Sequence, residues 1–140
     1  MVALSDLRPV GAGLLLWNEQ GKALIRQEAS TNQYNLYDAG PIERWDEMIE
    51  QVIERFRLDT FGKASAEIVI HQTLTFVRAY ASAHYCRQYG VLIGTAPDLP
   101  PKPIPCQGGS LEWIRLERLA PEECHPAFRY ELSHYLKVAR

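Results

Sequence analysis

Residues 43 to 59 concentrate the side chains best suited to chemistry. Glu43, Asp46, Glu47, Glu50, Glu54 and Asp59 are carboxylates, and Arg55 stands among them. Carboxylates at fixed spacing are what hard divalent cations such as magnesium require, because these ions take oxygen donors in tight geometry. A cation held this way polarises a phosphoryl group and activates water. At ~100° per residue, Glu43, Glu47, Glu50 and Glu54 fall within about 60° of one another on a helix. Trp45, Met48, Val52 and Phe56 form an apolar stripe nearly opposite. Two readings of the acids stand open: a solvated helix face, or a metal site displaced onto them. Arg55 and Asp59 lie beside the apolar stripe, four residues apart, which is the spacing of an i,i+4 ion pair.

The elements that must carry these groups can be read from the pattern. "VGAGLLLW" (10–17) and "KALIRQ" (22–27) are apolar runs around the turn "NEQG", which predicts a β-hairpin. "YNLYDAG" (34–40) is a third extended segment ending in a glycine turn. Apolar residues then recur at helical spacing from Trp45 to Phe56, and Gly62 supplies the stop, so the helix is expected over 45–61. "AEIVIHQTLTFVRAY" (66–80) and "HYCRQYGVLIGTA" (84–96) read as two long strands joined by a turn. The proline-rich "PDLPPKPIPCQGGS" (97–110) predicts one long irregular loop, since proline fixes φ and removes a donor. "LEWIRL" (111–116) is a further strand. A closing helix is expected over 126–139, with Phe128, Leu132, Tyr135 and Leu136 on its inner face.

Runs of strands with few helices indicate an α+β class with a mixed sheet between two main helices. At 140 residues and 46% apolar content, the chain is sized for one domain spanning 1–140. A net charge of −2 gives no basic footprint for non-specific nucleic-acid binding. No apolar run reaches the ~18 residues of a membrane span. The start, "MVALSDLRPV", lacks the features of a secretory signal. Cys86, Cys106 and Cys124 are odd in number, widely spaced and without a C-x-x-C pair, which argues for reduced thiols in a cytoplasmic setting. His71, His84, His125 and His134 have no metal-ligand spacing and read as structural or surface residues. Cys86 reads as a buried structural thiol.

From Val10 to Gly62, and again at "LEWIRLERLAP", the chain resembles the Nudix domain family, whose signature is G-x5-E-x7-R-E-U-x-E-E-x-G-U with U a bulky aliphatic residue. Gly40 matches the first glycine, Asp46 takes the place of the first glutamate, and Val52, Ile53 and Phe56 match core positions. The resemblance implies a Nudix-like α/β/α sandwich. It also implies a cleft in which Arg26, Tyr37 and Trp113 contact a ligand, bounded by the 97–110 loop.

In the family the signature carboxylates hold magnesium or a similar cation on a pyrophosphate. Aligned without a gap, this chain puts Glu54 and Arg55 where Arg and Glu are expected, Leu58 at the next glutamate and Asp59 at the last. A shift of one residue, which aligns Gly62 with the final glycine, gives Phe56, Asp59 and Thr60 instead. Either way the box is degenerate, so no cofactor is expected.

Three functions remain open. The first is a Nudix-fold module, weak or inactive as a hydrolase, that binds a nucleotide-type small molecule or a protein partner. The second is a Mg- or Mn-dependent pyrophosphohydrolase of nucleoside diphosphate derivatives. It would recruit catalytic groups from Glu47, Glu50 and Glu54 and metal ligands from Glu43, Glu47, Glu50, Glu54 and Asp59. The third is an interaction subunit with a vestigial cleft, contacting its partner through the 97–110 loop.

Overall fold

Asn18 reverses the chain after its first apolar run. Its Oδ1 accepts the backbone N–H groups of Gln20 (3.0 Å) and Lys22 (2.9 Å), and Gly21 supplies a left-handed φ of 76°. The expected hairpin results: β1 (Gly11–Trp17) and β2 (Ala23–Glu28) pair antiparallel at Leu16–Leu24 and Trp17–Ala23. The structure is a computed structural model. It describes residues 10–63, 67–80 and 85–138, with backbone alone at 78–80 and 85–87.

Beyond this turn β1 and β2 diverge, and the third extended segment fills the wedge between them. Tyr34–Asn35 (β3) pairs with β2, Leu36 is buried at the vertex, and Tyr37–Pro41 (β4) pairs with β1. One sequence segment thus makes two strands. The long strands β5 (Val69–Tyr80) and β6 (Tyr85–Thr95) pair antiparallel, while the 89–95 part of β6 runs parallel to the whole of β1. The turn expected between them lies outside the described residues. With β7 (Ile104–Cys106) and β8 (Gly109–Ile114), the sheet order is β5-β6-β1-β2-β8-β7, a mixed sheet as expected.

Strand alternation splits the core into two layers. Ala12, Leu14, Leu16, Leu24, Leu92 and Leu111 face one side, where Val52 and Phe56 of helix α1 (Met48–Asp59) cover them. Leu15, Trp17, Ile25, Val91 and Ile93 face the other, under Phe128 and Tyr135 of helix α2 (Pro126–Val138). The two helices therefore sit on opposite faces of the sheet.

Three expectations need correction. The 97–110 segment is not one irregular loop, because it contains β7 and the start of β8. Pro105 is tolerated there because β7 is an edge strand, where a missing N–H costs no ladder bond. Helix α1 begins at Met48, after a single 3-10 turn at Trp45–Glu47. On α2, Leu136 is 37% exposed, and the inner face instead includes Glu131 at 2% exposure. That carboxylate accepts a 2.6 Å hydrogen bond from the Tyr135 hydroxyl, four residues on.

Candidate functional site

The site grows from the junction of β4 with α1. A register shift in the β1–β4 ladder leaves Ala39 unopposed, and Gly40 follows with φ of 82°, a conformation costly for any side-chain-bearing residue. The carbonyls on either side of Gly40 both accept from one cation. Arg55 Nη1 donates to Ala39 O at 2.9 Å and to Pro41 O. A guanidinium stays charged at every accessible pH, so this junction carries a permanent positive charge.

Asp59 lies one turn further along α1. It does not pair with Arg55, contrary to the i,i+4 expectation. Its Oδ2 accepts from the Tyr37 hydroxyl at 2.5 Å instead. Tyr37 is only 2% exposed and stands edge-on to Phe56, with ring centroids 5.2 Å apart at 86°. Burial first, then the hydrogen bond and charge of Asp59, push the Tyr37 phenol far above its ordinary value.

The folded chain thus holds the Tyr37 proton after the unfolded chain begins to release it near pH 10.0. Stability is therefore intact below that pH and falls above it, by as much as ~1.4 kcal/mol per pH unit for this group. Urea unfolding between about pH 9 and 11 should show a steeper decline for the wild type than for Tyr37→Phe. Equal slopes would refute a buried, proton-holding Tyr37.

The β7–β8 turn closes over this cluster. Gln107 N–H donates to the Asp59 carbonyl at 3.0 Å, and Arg26 Nη2 donates to the Gln107 carbonyl at 2.9 Å. The turn is therefore tied to α1 and β2 at one residue. Gly108 sits in the left-handed region at φ 78°, which favours glycine over any residue with a side chain. Cys106 is buried against the same group. Burial raises its thiol pKa, the Arg26 charge opposes that, and Asp59 adds to it. Trp113 Nε1 donates to the Pro100 carbonyl at 3.0 Å. Leu99, Ile104 and Cys106 join the same core layer as Tyr37. Arg26, Tyr37 and Trp113 thus share one sheet face, and the 97–110 segment is packed onto that face.

The acidic stripe goes elsewhere. Glu43 is exposed, and Glu47 pairs with Arg44 at 2.8 Å. Glu50 and Glu54 line a groove of about 550 Å³ on the outer side of α1, with Ile53, Arg57, Leu58, Phe61 and Gly62. Asp59 is turned inward to Tyr37. Among the described residues, no three His, Cys, Asp or Glu side chains form a group able to hold a metal ion. The carboxylates present therefore do not fit a divalent cation between α1 and β4.

The described histidines are occupied locally. His71 Nε2 is 2.9 Å from Thr95 Oγ1, His125 Nδ1 accepts from Ala127 N–H, and His134 stacks edge-on to Phe76. Cys124 is buried beneath α2's entry, and burial raises its thiol pKa. His84 and the Cys86 side chain lie outside what is described.

Sequence reasoning missed the end of α1. Gly62 N–H bonds to Arg57 O (2.8 Å) and Phe61 N–H to Leu58 O (3.0 Å), which is a Schellman stop. The left-handed residue of that motif, normally glycine, is Phe61 at φ 57°. The "FG" order pointed to Gly62 as the stop and hid this.

With the architecture in place, comparison with solved structures is informative. The chain superposes on the Nudix hydrolase RenU from M. smegmatis with a TM-score of 0.65 and 20% identity, covering 94% of this chain and 85% of that one. A Nudix hydrolase from Nitrosomonas europaea gives 0.64 and 14%, covering 95% and 92%. The E. coli dihydroneopterin triphosphate pyrophosphohydrolase gives 0.62 and 12%, covering 95% and 98%. No family model matches the chain, and no curated protein matches it. The likeness is one of fold: this chain has the mixed-sheet, two-helix fold of the Nudix hydrolases.

Proposed function

We infer that this chain is a Nudix-fold protein with a degenerate box, that it does not carry out metal-dependent pyrophosphohydrolysis, and that it works as an interaction module. The observation that carries this reading is Arg55, whose guanidinium bridges the carbonyls of Ala39 and Pro41 beside the box glycine, Gly40. In the ungapped alignment Arg55 stands at a metal-ligand glutamate. The left-handed φ of Phe61 favours that alignment, because it puts the helix stop where the signature has its final glycine. A dication approaching to ~4 Å of a guanidinium meets about 1 kcal/mol of repulsion per unit charge in water, and more in a desolvated cleft. Raising the pH gives no relief.

The binding of a partner protein is favoured over that of a nucleotide-type ligand by the 97–110 segment. Arg26 and Trp113 already donate to its backbone, and Tyr37 is committed to Asp59. A ligand using these three side chains has to displace the chain's own contacts. No described helix is long and apolar enough to cross a membrane. The free, buried Cys106 and Cys124 suit the reducing conditions of the cytoplasm, where we place the protein.

The test is turnover of a panel of nucleoside diphosphate derivatives and dinucleoside polyphosphates with magnesium or manganese. We expect no metal-dependent release above background. Rates of ~1 s⁻¹ or more, lost on changing Glu47, Glu50 or Glu54, would show that the acidic stripe had been recruited as a catalytic site.

A further inference from the structure

The two ends of the sheet are built differently. At one end β7 has three residues, and Pro105 in its middle has no N–H to give a further strand. At the other end β5 runs for 12 residues, and among the described residues no strand pairs with its outer side. From Val69 to Val77 it carries no proline, lysine, aspartate or glutamate, the residues that commonly blunt an edge. Thr73, Thr75 and Val77 are exposed there, Val77 by 52%. A row of backbone N–H and C=O groups is thus left to water beside β-forming side chains. Only another extended segment supplies a matching row.

The chain carries one such segment, β5 itself. Stacking β5 of one copy on β7 of the next would build an open filament, and the short, proline-bearing β7 prevents it. Two β5 edges facing each other close about a two-fold axis instead. Outward backbone groups recur on every second residue of a strand, so residues that pair belong both to the outward set or both to the inward set. The axis must therefore pass beside one residue. The ladder to β6 is regular from Gln72 onward, past the bulge at Ile70–Gln72. An axis at Leu74 sets the Gln72 amide against the Phe76 ring. An axis at Phe76 moves the pairing toward the end of the strand and leaves Gln72 to Leu74 outside the Thr75–Val77 contact. An axis at Thr75 sets Leu74 against Phe76 and Thr73 against Val77, each twice, with Thr75 against its own copy. None of these side chains is charged, so no like charges meet. Leu74 and Phe76 pack on the α2 layer and are only partly buried, so the pairing continues that layer into the second copy.

We propose that two copies of this chain pair antiparallel through β5, with the two-fold axis at Thr75, and so form one continuous sheet. This goes beyond the non-hydrolytic function and does not depend on it. A single strand edge buries less than the ~800 Å² per partner of a standard interface. The dimer is therefore weak, with a dissociation constant on the order of 10–100 μM.

Sedimentation equilibrium on the full chain from about 5 to 500 μM spans that constant. The wild type should pass from monomer to dimer. Thr75 is exposed, so Thr75→Lys and Thr75→Glu should fold and melt as the wild-type monomer does. Each should bind itself at least about tenfold more weakly, because the axis brings two like charges face to face. Mixed one to one, the two variants should form a heterodimer. Mild oxidation of Thr75→Cys should link two copies, since facing residues of an antiparallel pair have the Cα separation of a disulfide. Val69→Cys, on the same strand but far from the axis, should stay unlinked. A wild type that is monomeric throughout overturns the proposal and leaves the edge to a strand of another protein. So does a dimer that both charge variants leave intact, or one in which Thr75→Cys links no better than Val69→Cys.

Discussion

Phe56→Ala is expected to lower the free energy of unfolding by about 3–5 kcal/mol, a large share of the ~5–15 kcal/mol that a domain commands. Phe56 is buried at the centre of the α1 layer with Val52 and stands edge-on to the ring of Tyr37. The cost of such a truncation depends on whether neighbours collapse into the space. Here they are restrained. Tyr37 is pinned by its hydroxyl to Asp59, and its backbone lies in the β1–β4 ladder opposite Leu14. The cavity therefore persists. Ile53→Ala, on the outer flank of the same helix, should cost about 1 kcal/mol or less. Urea unfolding of both variants provides the check, and equal losses would mean that α1 does not pack through the Val52–Phe56 face.

The second large effect comes from replacing Arg55 and Leu58 by glutamate. In Arg55→Glu/Leu58→Glu, the donor that satisfies Ala39 O and Pro41 O is gone, and a carboxylate faces two unpaired carbonyls. Without metal, the variant should lose about 1–2 kcal/mol, because the exposed Pro41 carbonyl turns to water and only the part-buried Ala39 carbonyl is left short. The same change puts one carboxylate beside the two β4 carbonyls and a second on the outer flank of α1, adding oxygen donors of the kind a hard cation takes. Manganese should therefore stabilise the variant by mass action, by ~2.7 kcal/mol at a hundredfold excess over its dissociation constant. The wild type should not respond. Melting curves with and without manganese decide it: a variant indifferent to metal would mean that Arg55 does not occupy a latent cation site.

Much of this could be read from the chain, for identifiable reasons. The β1–β2 hairpin was legible because Asn18 and Gly21 carry turn chemistry between two apolar runs. The inner face of α1 was legible because Val52 and Phe56 keep a helical period. The splitting of 34–41 into two strands was not, because it depends on β1 and β2 diverging in space. β7 was hidden by its own proline, since whether Pro105 is tolerated depends on β7 being an edge. At the site, the run Glu-Arg-Phe-Arg-Leu-Asp at 54–59, which does not carry the signature's carboxylate pattern, was visible in the order of residues. The partners of Arg55 and Asp59 were not, because Ala39, Pro41 and Tyr37 are brought in by a strand rather than by helical spacing. The Arg55–Asp59 ion pair is what local spacing alone suggests. Tertiary contacts offered each residue a better partner.

The most direct test of the central claim is a manganese titration of the wild-type chain at neutral pH, followed by the paramagnetic signal of the free ion. With Arg55 seated between the β4 carbonyls and the acids of α1 dispersed, no site tighter than about 1 mM should be found. One equivalent of manganese held at about 10 μM or tighter, and released by Glu50→Gln or Glu54→Gln, would contradict the account.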